Sequence, residues 1–291
     1  MGDYRRPAAL ADALQLLAAS PRCVLAGGTD LYPADVASTA WGRPGLDHAA
    51  APPLLDVTAL PELRGIEGGG GGFRLGAAVT WSEVAAAPLP PAFDALKQAA
   101  VEVGGRQIQN RGTLGGNLCN ASPAADGAPP LLVLDAEVEL ASVRGTRRLP
   151  LARFVLGNRE TALAADELLV AIHVPSPPSG AVARFAKLGA RRYLVISIAM
   201  VAVLVVLEAG RIVEARIAVG ACSATAQRLA ALEADLVGLT PADAAARVTP
   251  EHLAPLRPID DVRASAAYRL QAARTLLART VAGLGAGELA A

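Results

Sequence analysis

A glycine-rich segment, residues 112–126, constrains the fold of this chain more than any other. It reads Gly-Thr-Leu-Gly-Gly-Asn-Leu-Cys-Asn-Ala-Ser-Pro-Ala-Ala-Asp. Because glycine lacks a Cβ atom, Gly112, Gly115 and Gly116 can adopt positive φ angles and bring backbone N–H groups close to an anion. Further polar groups stand beside them: Thr113, Asn117, Asn120, Ser122 and Asp126. The segment predicts either a diphosphate-binding loop or an ordinary tight turn, since glycine is common in both.

A second glycine loop near the N-terminus favours the first of these alternatives. Cys23-Val24-Leu25-Ala26 reads as a short strand that leads into Gly27-Gly28-Thr29-Asp30-Leu31. Two such loops can hold one diphosphate from both sides. Neither loop contains G-x-G-x-x-G, and G-x-x-x-x-G-K-[ST] does not occur in the chain. The sequence therefore argues against a nicotinamide-binding Rossmann domain and against a P-loop.

Three segments of the chain carry a resemblance to a known family: residues 26–31, 110–117 and 121–126. In sequence, order and separation they are similar to the FAD-binding middle subunit of the molybdenum hydroxylases. That family includes the flavoprotein chains of xanthine dehydrogenase and aerobic carbon monoxide dehydrogenase. A weaker match, residues 185–192, fits the start of the family's C-terminal part, so that the resemblance covers nearly the whole chain.

The resemblance implies an α+β fold in two domains. Residues 1–176 would form a two-lobed FAD-binding domain of the vanillyl-alcohol-oxidase/p-cresol-methylhydroxylase type, with lobes at about 1–53 and 54–176. Residues 181–288 would form a smaller domain of an antiparallel sheet and helices. Between them, Ser176-Pro177-Pro178-Ser179-Gly180 is short, polar and unable to continue a helix or a strand. This segment is the best candidate for a linker.

The resemblance also implies which residues hold FAD. The diphosphate would lie between residues 23–30 and 113–117, with Asp126 near the ribityl or ribose hydroxyls. Leu168 or Leu169 would contact the ring system and Lys187 its polar edge. Tyr193 would either stack on the isoalloxazine or simply pack at a strand end. The implied FAD-binding residues are Val24, Leu25, Ala26, Gly27, Gly28, Thr29, Asp30, Leu31, Thr113, Leu114, Gly115, Gly116, Asn117, Asp126, Leu168, Leu169, Lys187 and Tyr193.

The function that the resemblance implies is electron transfer. The chain would take electrons from [2Fe–2S] clusters of a small partner subunit and pass them through FAD to an external acceptor. A large partner subunit would carry the molybdenum cofactor and bind the substrate, in a cytoplasmic complex that is a dimer of heterotrimers. No catalytic side chain is assigned to this chain. Two alternatives stay open: a stand-alone flavin oxidoreductase, and an assembly subunit that has lost its flavin.

Composition argues against other classes of function. Lys plus Arg and Asp plus Glu each number 27, and only 3% of the residues are aromatic, so neither a basic surface nor a stacking platform for nucleic acid is expected. Cys23, Cys119 and Cys222 are far apart and odd in number, which fits a reducing compartment and cannot supply the ligands of an iron–sulfur cluster. The three histidines are equally isolated, and no metal site is expected: His48, His173 and His252.

The most apolar segment, residues 194–207, contains Ser197 as its one polar residue. A membrane-spanning helix needs about 20 apolar residues, so the segment is too short and no membrane insertion is expected. Its β-branched residues and the Glu-Ala-Gly-Arg turn that follows predict instead a buried strand in a hairpin with residues 212–219.

Local patterns predict several further elements. A helix is expected over residues 7–19 and another over residues 225–237, and the glycines of residues 68–72 favour a hairpin tip over a phosphate loop. Thr80 and Glu83 have the spacing of a capping box. Four arginines near the C-terminal helix favour a solvated helix side over a docking face. They are Arg263, Arg269, Arg274 and Arg279.

Overall fold

The computed structural model describes residues 3–33 and 53–284. A small parallel sheet begins the fold, with its strands in the order β1-β3-β2. These strands are β1 (Tyr4–Arg5), β2 (Cys23–Leu25) and β3 (Leu54–Asp56). Helix α1 (Leu10–Ala19) starts three residues later than predicted and buries Leu14 and Leu17 in the same apolar core as Leu55.

An antiparallel sheet of five strands follows, in the order β4-β5-β10-β6-β7. Its strands are β4 (Ile66–Gly69), β5 (Gly72–Gly76), β6 (Glu137–Ser142), β7 (Gly145–Pro150) and β10 (Leu168–Val174). A separate hairpin joins β8 (Val155–Gly157) to β9 (Glu160–Thr161). Because Gly69 pairs with Gly72, the glycine run forms a hairpin tip, as predicted.

Short helices connect these strands. They are α2 (Trp81–Ala86), α3 (Asp94–Glu102), α4 (Arg106–Gln109), α5 (Leu114–Asn120), α6 (Ala128–Val133) and α7 (Leu151–Phe154). The predicted capping box at the start of α2 is confirmed. Thr80 Oγ1 accepts from the Glu83 N–H at 3.3 Å, and Glu83 Oε2 accepts from the Thr80 N–H at 2.7 Å. Both bonds satisfy donors that a helix start leaves without a partner.

The C-terminal part contains a four-stranded antiparallel sheet in sequence order. Its strands are β11 (Ala181–Leu188), β12 (Ala199–Glu208), β13 (Arg211–Gly220) and β14 (Gln227–Arg228), and its helices are α8 (Ala230–Leu236), α9 (Pro241–Arg247) and α10 (Ala266–Gly283). The predicted hairpin is β12–β13. The helix predicted from residue 225 begins only at Ala230, because Gln227 and Arg228 pair with β13.

Strand β12 explains the apolar segment. Val201, Val203 and Val205 face a core that α8, α9 and α10 cover. Ala202 and Leu204 face the opposite way, into the core of the N-terminal part. A strand buried on both faces needs apolar residues at consecutive positions rather than at alternate ones. Among the described residues, no helix is long and apolar enough to cross a membrane.

The arginine prediction needs one correction. Arg274 and Arg279 are exposed on α10, and Arg263 precedes that helix. Arg269, however, is only 3% exposed. It is buried because its guanidinium bonds to two backbone carbonyls and to Asp261. Helical periodicity could not reveal these partners, since they lie in other parts of the chain.

We expect Val203→Ala to lower the free energy of unfolding by roughly 2 kcal/mol, because two methyl groups are removed from a packed core and a cavity remains. Val213→Ala in the same hairpin is the matched control. Val213 is 41% exposed, and its loss should change stability by less than about 0.5 kcal/mol. Urea denaturation of both variants measures the difference, and equal effects would contradict the two-sided burial of β12.

Candidate functional site

A cavity of about 890 Å³ opens between the two glycine segments. This volume lies within the range of roughly 300–1,000 Å³ that ligand sites occupy. All of the residues that the sequence assigned to FAD line it except Leu114, Lys187 and Tyr193. The cavity therefore collects side chains from both glycine loops, from the segment after α5 and from the start of β10.

The other three assigned residues lie outside this lining. Leu114 is fully buried in the core, and Lys187 lies behind Asp126, to which it is bonded. The Tyr193 side chain is exposed beside Arg192, whose guanidinium carbon lies 5.2 Å from the ring centroid. The next three residues line the cavity instead, namely Leu194, Val195 and Ile196.

The two glycine segments touch through their backbones. A Cβ atom placed on Gly27 would lie 1.9 Å from the Arg111 carbonyl oxygen and 3.0 Å from the Gly112 Cα. No side chain fits at that distance, so Gly27 is required for the segments to approach each other. The next residue, Gly28, has a φ of 73°. Its left-handed conformation turns the chain out of β2, and glycine adopts it without strain.

The second segment is built differently from the loop that the sequence predicted. Its glycines do not have positive φ angles; they lie in and beside α5, which Thr113 caps. Gly115 is required for packing, because a Cβ there would lie 2.7 Å from both Cβ and O of Ala77. The prediction of left-handed glycines at Gly112, Gly115 and Gly116 was therefore wrong. Close contact with Ala77, the residue that follows β5, is the reason for Gly115.

The backbone N–H groups at the start of α5 already have partners. Leu114 donates to Val79 O at 2.9 Å and Gly115 to Ala77 O at 2.8 Å. Gly116 donates to Thr113 Oγ1 at 3.0 Å, and Asn117 donates to Thr113 O at 3.0 Å. These donors are therefore not free for a diphosphate. This segment can therefore contact a ligand through its side chains rather than through these backbone N–H groups.

The first loop has the free donors. Within residues 3–33 and 53–284, no backbone or side-chain acceptor receives a hydrogen bond from the N–H groups of Gly27, Gly28 or Thr29. All three residues line the cavity. Successive N–H groups around a left-handed residue form a concave site for an anion. Among the described residues, the N–H groups of residues 27–29 are therefore backbone donors that an anion in the cavity could use.

Asn117 supplies a side-chain amide to the cavity wall. Its Oδ1 atom is buried and has no hydrogen-bond partner among the described residues. A buried polar atom without a partner costs about 1–3 kcal/mol. Its amide can present either oxygen or nitrogen, since rotation by half a turn exchanges the two. An amide in this state fits a ligand with polar groups at that point.

A buried charged cluster closes another part of the cavity. Lys187 Nζ lies 2.6 Å from Asp126 Oδ2, and Ser197 Oγ donates to Asp126 Oδ1 at 2.6 Å. Burial raises the pKa of the Asp126 carboxyl, while the Lys187 ammonium and the Ser197 hydroxyl oppose that rise. Lys187 also donates to the Glu102 carbonyl at 3.3 Å. The sequence signal for Ser197 was its place as the one polar residue of an apolar segment.

Arg159 is a lining residue that sequence reasoning missed. It has a φ of 62°, its N–H donates to Ala121 O at 2.9 Å, and its guanidinium bonds the Asn120 side chain. Among the described residues it is the only lysine or arginine that lines the cavity. It therefore adds one positive charge to the cavity lining. Nothing in the sequence around the β8–β9 hairpin indicates this position.

The cysteines and histidines have other roles. Burial raises the pKa of the half-buried Cys23 thiol, so this thiol is protonated near pH 7, and Cys119 is exposed at the cavity wall. His173 contacts Glu139, and His252 contacts Asp235. In the described part of the chain no group of His, Cys, Asp and Glu could hold a metal ion. His48 lies outside the described residues.

Residues 1–177 match the family described as the FAD binding domain in molybdopterin dehydrogenase. The chain belongs to this family. Residues 184–284 match a second family, the CO dehydrogenase flavoprotein C-terminal domain. The resemblance seen in the glycine segments is thus confirmed. This places the chain among the FAD-binding proteins of the molybdenum hydroxylase family.

Similar proteins of this FAD-binding family are medium or FAD-binding subunits. The nicotine 6-hydroxylase medium subunit of Paenarthrobacter nicotinovorans is 32% identical over 290 residues, which cover 97% of each chain. The putative xanthine dehydrogenase FAD-binding subunit of Escherichia coli is 38% identical over 179 residues, or 60% of this chain and 58% of that subunit. That match therefore spans less than two thirds of the length of the Escherichia coli subunit.

Solved structures of the family share the fold. A CO dehydrogenase chain from Oligotropha carboxidovorans has a TM-score of 0.87 at 29% identity, covering 99% of both chains. A chain of quinoline 2-oxidoreductase from Pseudomonas putida has a TM-score of 0.86 at 29% identity, covering 99% of this chain and 98% of that one. The predicted α+β fold, an FAD-binding domain followed by a C-terminal domain with an antiparallel sheet, is confirmed.

We expect Gly27→Ala to destabilise the N-terminal part, since its methyl group would collide with the Arg111 carbonyl and push the two glycine segments apart. Overpacking of this kind costs about 1–3 kcal/mol. Gly70→Ala is the matched control, because a Cβ on Gly70 meets nothing within 4 Å. Thermal and urea unfolding of both variants test this. Equal stability of the two variants would show that the fold does not depend on the close contact between Gly27 and the Arg111 carbonyl.

Proposed function

We propose that this chain is the electron-transferring FAD subunit of a molybdenum-containing hydroxylase complex. The observation that carries the proposal is the cavity, which is lined both by residues 27–29, whose N–H groups have no acceptor among the described residues, and by Asn117, whose buried Oδ1 has no partner there. A flavin bound there would accept electrons from one partner and release them to another. The protein's task is to bind the cofactor, orient it and keep water from it.

The residues of the cavity divide this task. The N–H groups of residues 27–29 and the Thr113 hydroxyl would hold the diphosphate, with Arg159 as its counter-charge. Asp126 would accept hydrogen bonds from ribityl or ribose hydroxyls, because its carboxylate is the acceptor that Lys187 and Ser197 hold in place. Apolar walls at Leu168, Leu169 and residues 194–196 would exclude water from the ring system.

Partners are part of the proposal. We expect a small subunit with [2Fe–2S] clusters as electron donor and a large subunit with the molybdenum cofactor and the substrate, assembled as a dimer of heterotrimers. The names of relatives support a multi-subunit complex: one is a medium subunit, and another is subunit alpha of the 6-hydroxypseudooxynicotine dehydrogenase complex. The two family matches also support domains at about 1–176 and 181–288.

The test is titration of the purified full-length chain with FAD, followed by removal of excess cofactor and a visible absorption spectrum. The proposal expects one FAD per chain. A chain that takes up no flavin, alone or with its co-purified partners, would refute it. Riboflavin is the comparison ligand, because it carries the ring system without the diphosphate. Weaker binding of riboflavin would support the anion site at residues 27–29.

Asn117→Leu separates ligand binding from folding. Leucine has nearly the same shape and removes the unpartnered buried amide, so the apoprotein should be as stable as the wild type or more stable. FAD affinity should fall about tenfold or more, as expected for a lost buried hydrogen bond to a ligand. Unfolding midpoints and flavin fluorescence titration measure the two effects. Lower stability together with unchanged FAD affinity would show that Asn117 has a structural role.

A further inference from the structure

Arg269 is a buried cation that the proposed site does not use. It lies on α10, its side chain is 4% exposed, and it bonds to three different segments. Its Nη1 donates to Ile198 O at 2.6 Å and to Ala221 O at 3.1 Å, and its Nη2 donates to Asp261 Oδ1 at 2.7 Å. The first carbonyl immediately precedes β12, and the second immediately follows β13. Arg269 thus ties together the two adjacent strand ends.

Asp261 holds the guanidinium from the other side. Its Oδ1 accepts the N–H groups of Arg263 at 2.8 Å and Ala264 at 3.2 Å. These bonds and the nearby guanidinium groups keep the pKa of Asp261 well below its ordinary value. The carboxylate is therefore charged throughout the neutral range. Arg269 is fixed between this anion and the two carbonyls, and charge-assisted bonds of this kind are stronger than neutral ones.

The first carbonyl leads directly to the charged cluster of the cavity. Ile198 follows Ser197, whose hydroxyl donates to Asp126. The Ile198 N–H also donates to Leu188 O at 2.7 Å, which is next to Lys187. A shift of Ile198 would therefore move the partners of both carboxylate oxygens at once.

The second carbonyl leads to the same part of the cavity by a separate route. Ala221 has a φ of 61°, and its N–H donates to Pro123 O at 2.9 Å. Pro123 lies between the lining residues Ser122 and Ala124, three residues before Asp126. Arg269 is thus connected through Ala221 to the segment that contains Asp126. Through Ile198 it is connected to the partners of Asp126.

We propose that Arg269 is a positioning residue for the flavin site, which sets the placement of Ser197 and Lys187 around Asp126 and so controls cofactor affinity and the potential of the bound flavin. The inference rests on the proposed FAD site. It makes α10, a helix that does not line the cavity, a determinant of cofactor binding. A core arginine with a structural role alone would affect unfolding but would not act through Ser197.

The first experiment compares wild type, Arg269→Met, Arg269→Lys and the control Arg279→Met, which removes an exposed arginine of the same helix. Each full-length chain is titrated with FAD, and the midpoint potential of the bound flavin is measured. Arg269→Met should weaken FAD binding about tenfold and shift the potential, because the two strand ends lose their shared donor. Arg269→Lys should be intermediate, since one ammonium nitrogen replaces the two guanidinium nitrogens that now bond the carbonyls and Asp261 separately. Arg279→Met should match the wild type.

A double-mutant cycle tests whether the effect passes through Ser197. It uses Ser197→Ala with Arg269→Lys, which keeps the charge and is the safer variant if Arg269→Met fails to fold. If Arg269 acts through Ser197, the double variant should bind FAD no more weakly than the weaker single variant. The inference would be overturned if the two substitutions weakened FAD binding by factors that multiply fully in the double variant. It would also be overturned if Arg269→Lys left the FAD affinity and the flavin potential unchanged. A wild type that takes up no FAD, alone or with its co-purified partners, would instead refute the proposed function itself, and the inference with it.

Discussion

The contact between Gly27 and the Arg111 carbonyl is the constraint on which the cavity depends. It brings two backbone segments to a separation that no side chain permits. In the described part of the chain, the N–H groups of residues 27–29 then have no acceptor. The two segments therefore do different work. The second is a capped helix whose first N–H groups already bond to other atoms of the protein, so it forms a rigid wall of the cavity. The first is the segment able to bind an anion, although both looked alike in glycine content.

The C-terminal part contributes to the site through β11 and β12 rather than through a loop of its own. Strand β12 is buried on both faces, and this joins the two apolar cores across a single layer. Lys187 on β11 and Ser197 just before β12 then meet Asp126 from the N-terminal part. The cluster consequently forms only when both parts of the chain are folded against each other.

Local chemistry in the sequence predicted much of this structure. The strand before Gly27, the hairpin tip at residues 68–72, the capping box at Thr80 and the β12–β13 hairpin follow from patterns that near neighbours determine. The errors have a common physical cause. Gly115 is required by its contact with Ala77, and Arg269 is buried by its bonds to Ile198 and Ala221. The start of α8 is set by the pairing of the preceding residues with β13. Each depends on a partner distant in sequence, and periodicity carries no information about such partners.

Polar groups that are costly to bury lie together at the cavity. The Lys187–Asp126 pair is almost completely buried, and replacing such pairs with apolar residues of similar volume is often neutral or stabilising. The Asn117 amide has a buried oxygen without a partner among the described residues. Asp126 and Asn117 both line the cavity. A fold selected for stability alone would have no reason to place these groups there. Their common location is explained if a polar ligand supplies the missing interactions, because departures from favourable packing are expected where binding requires them.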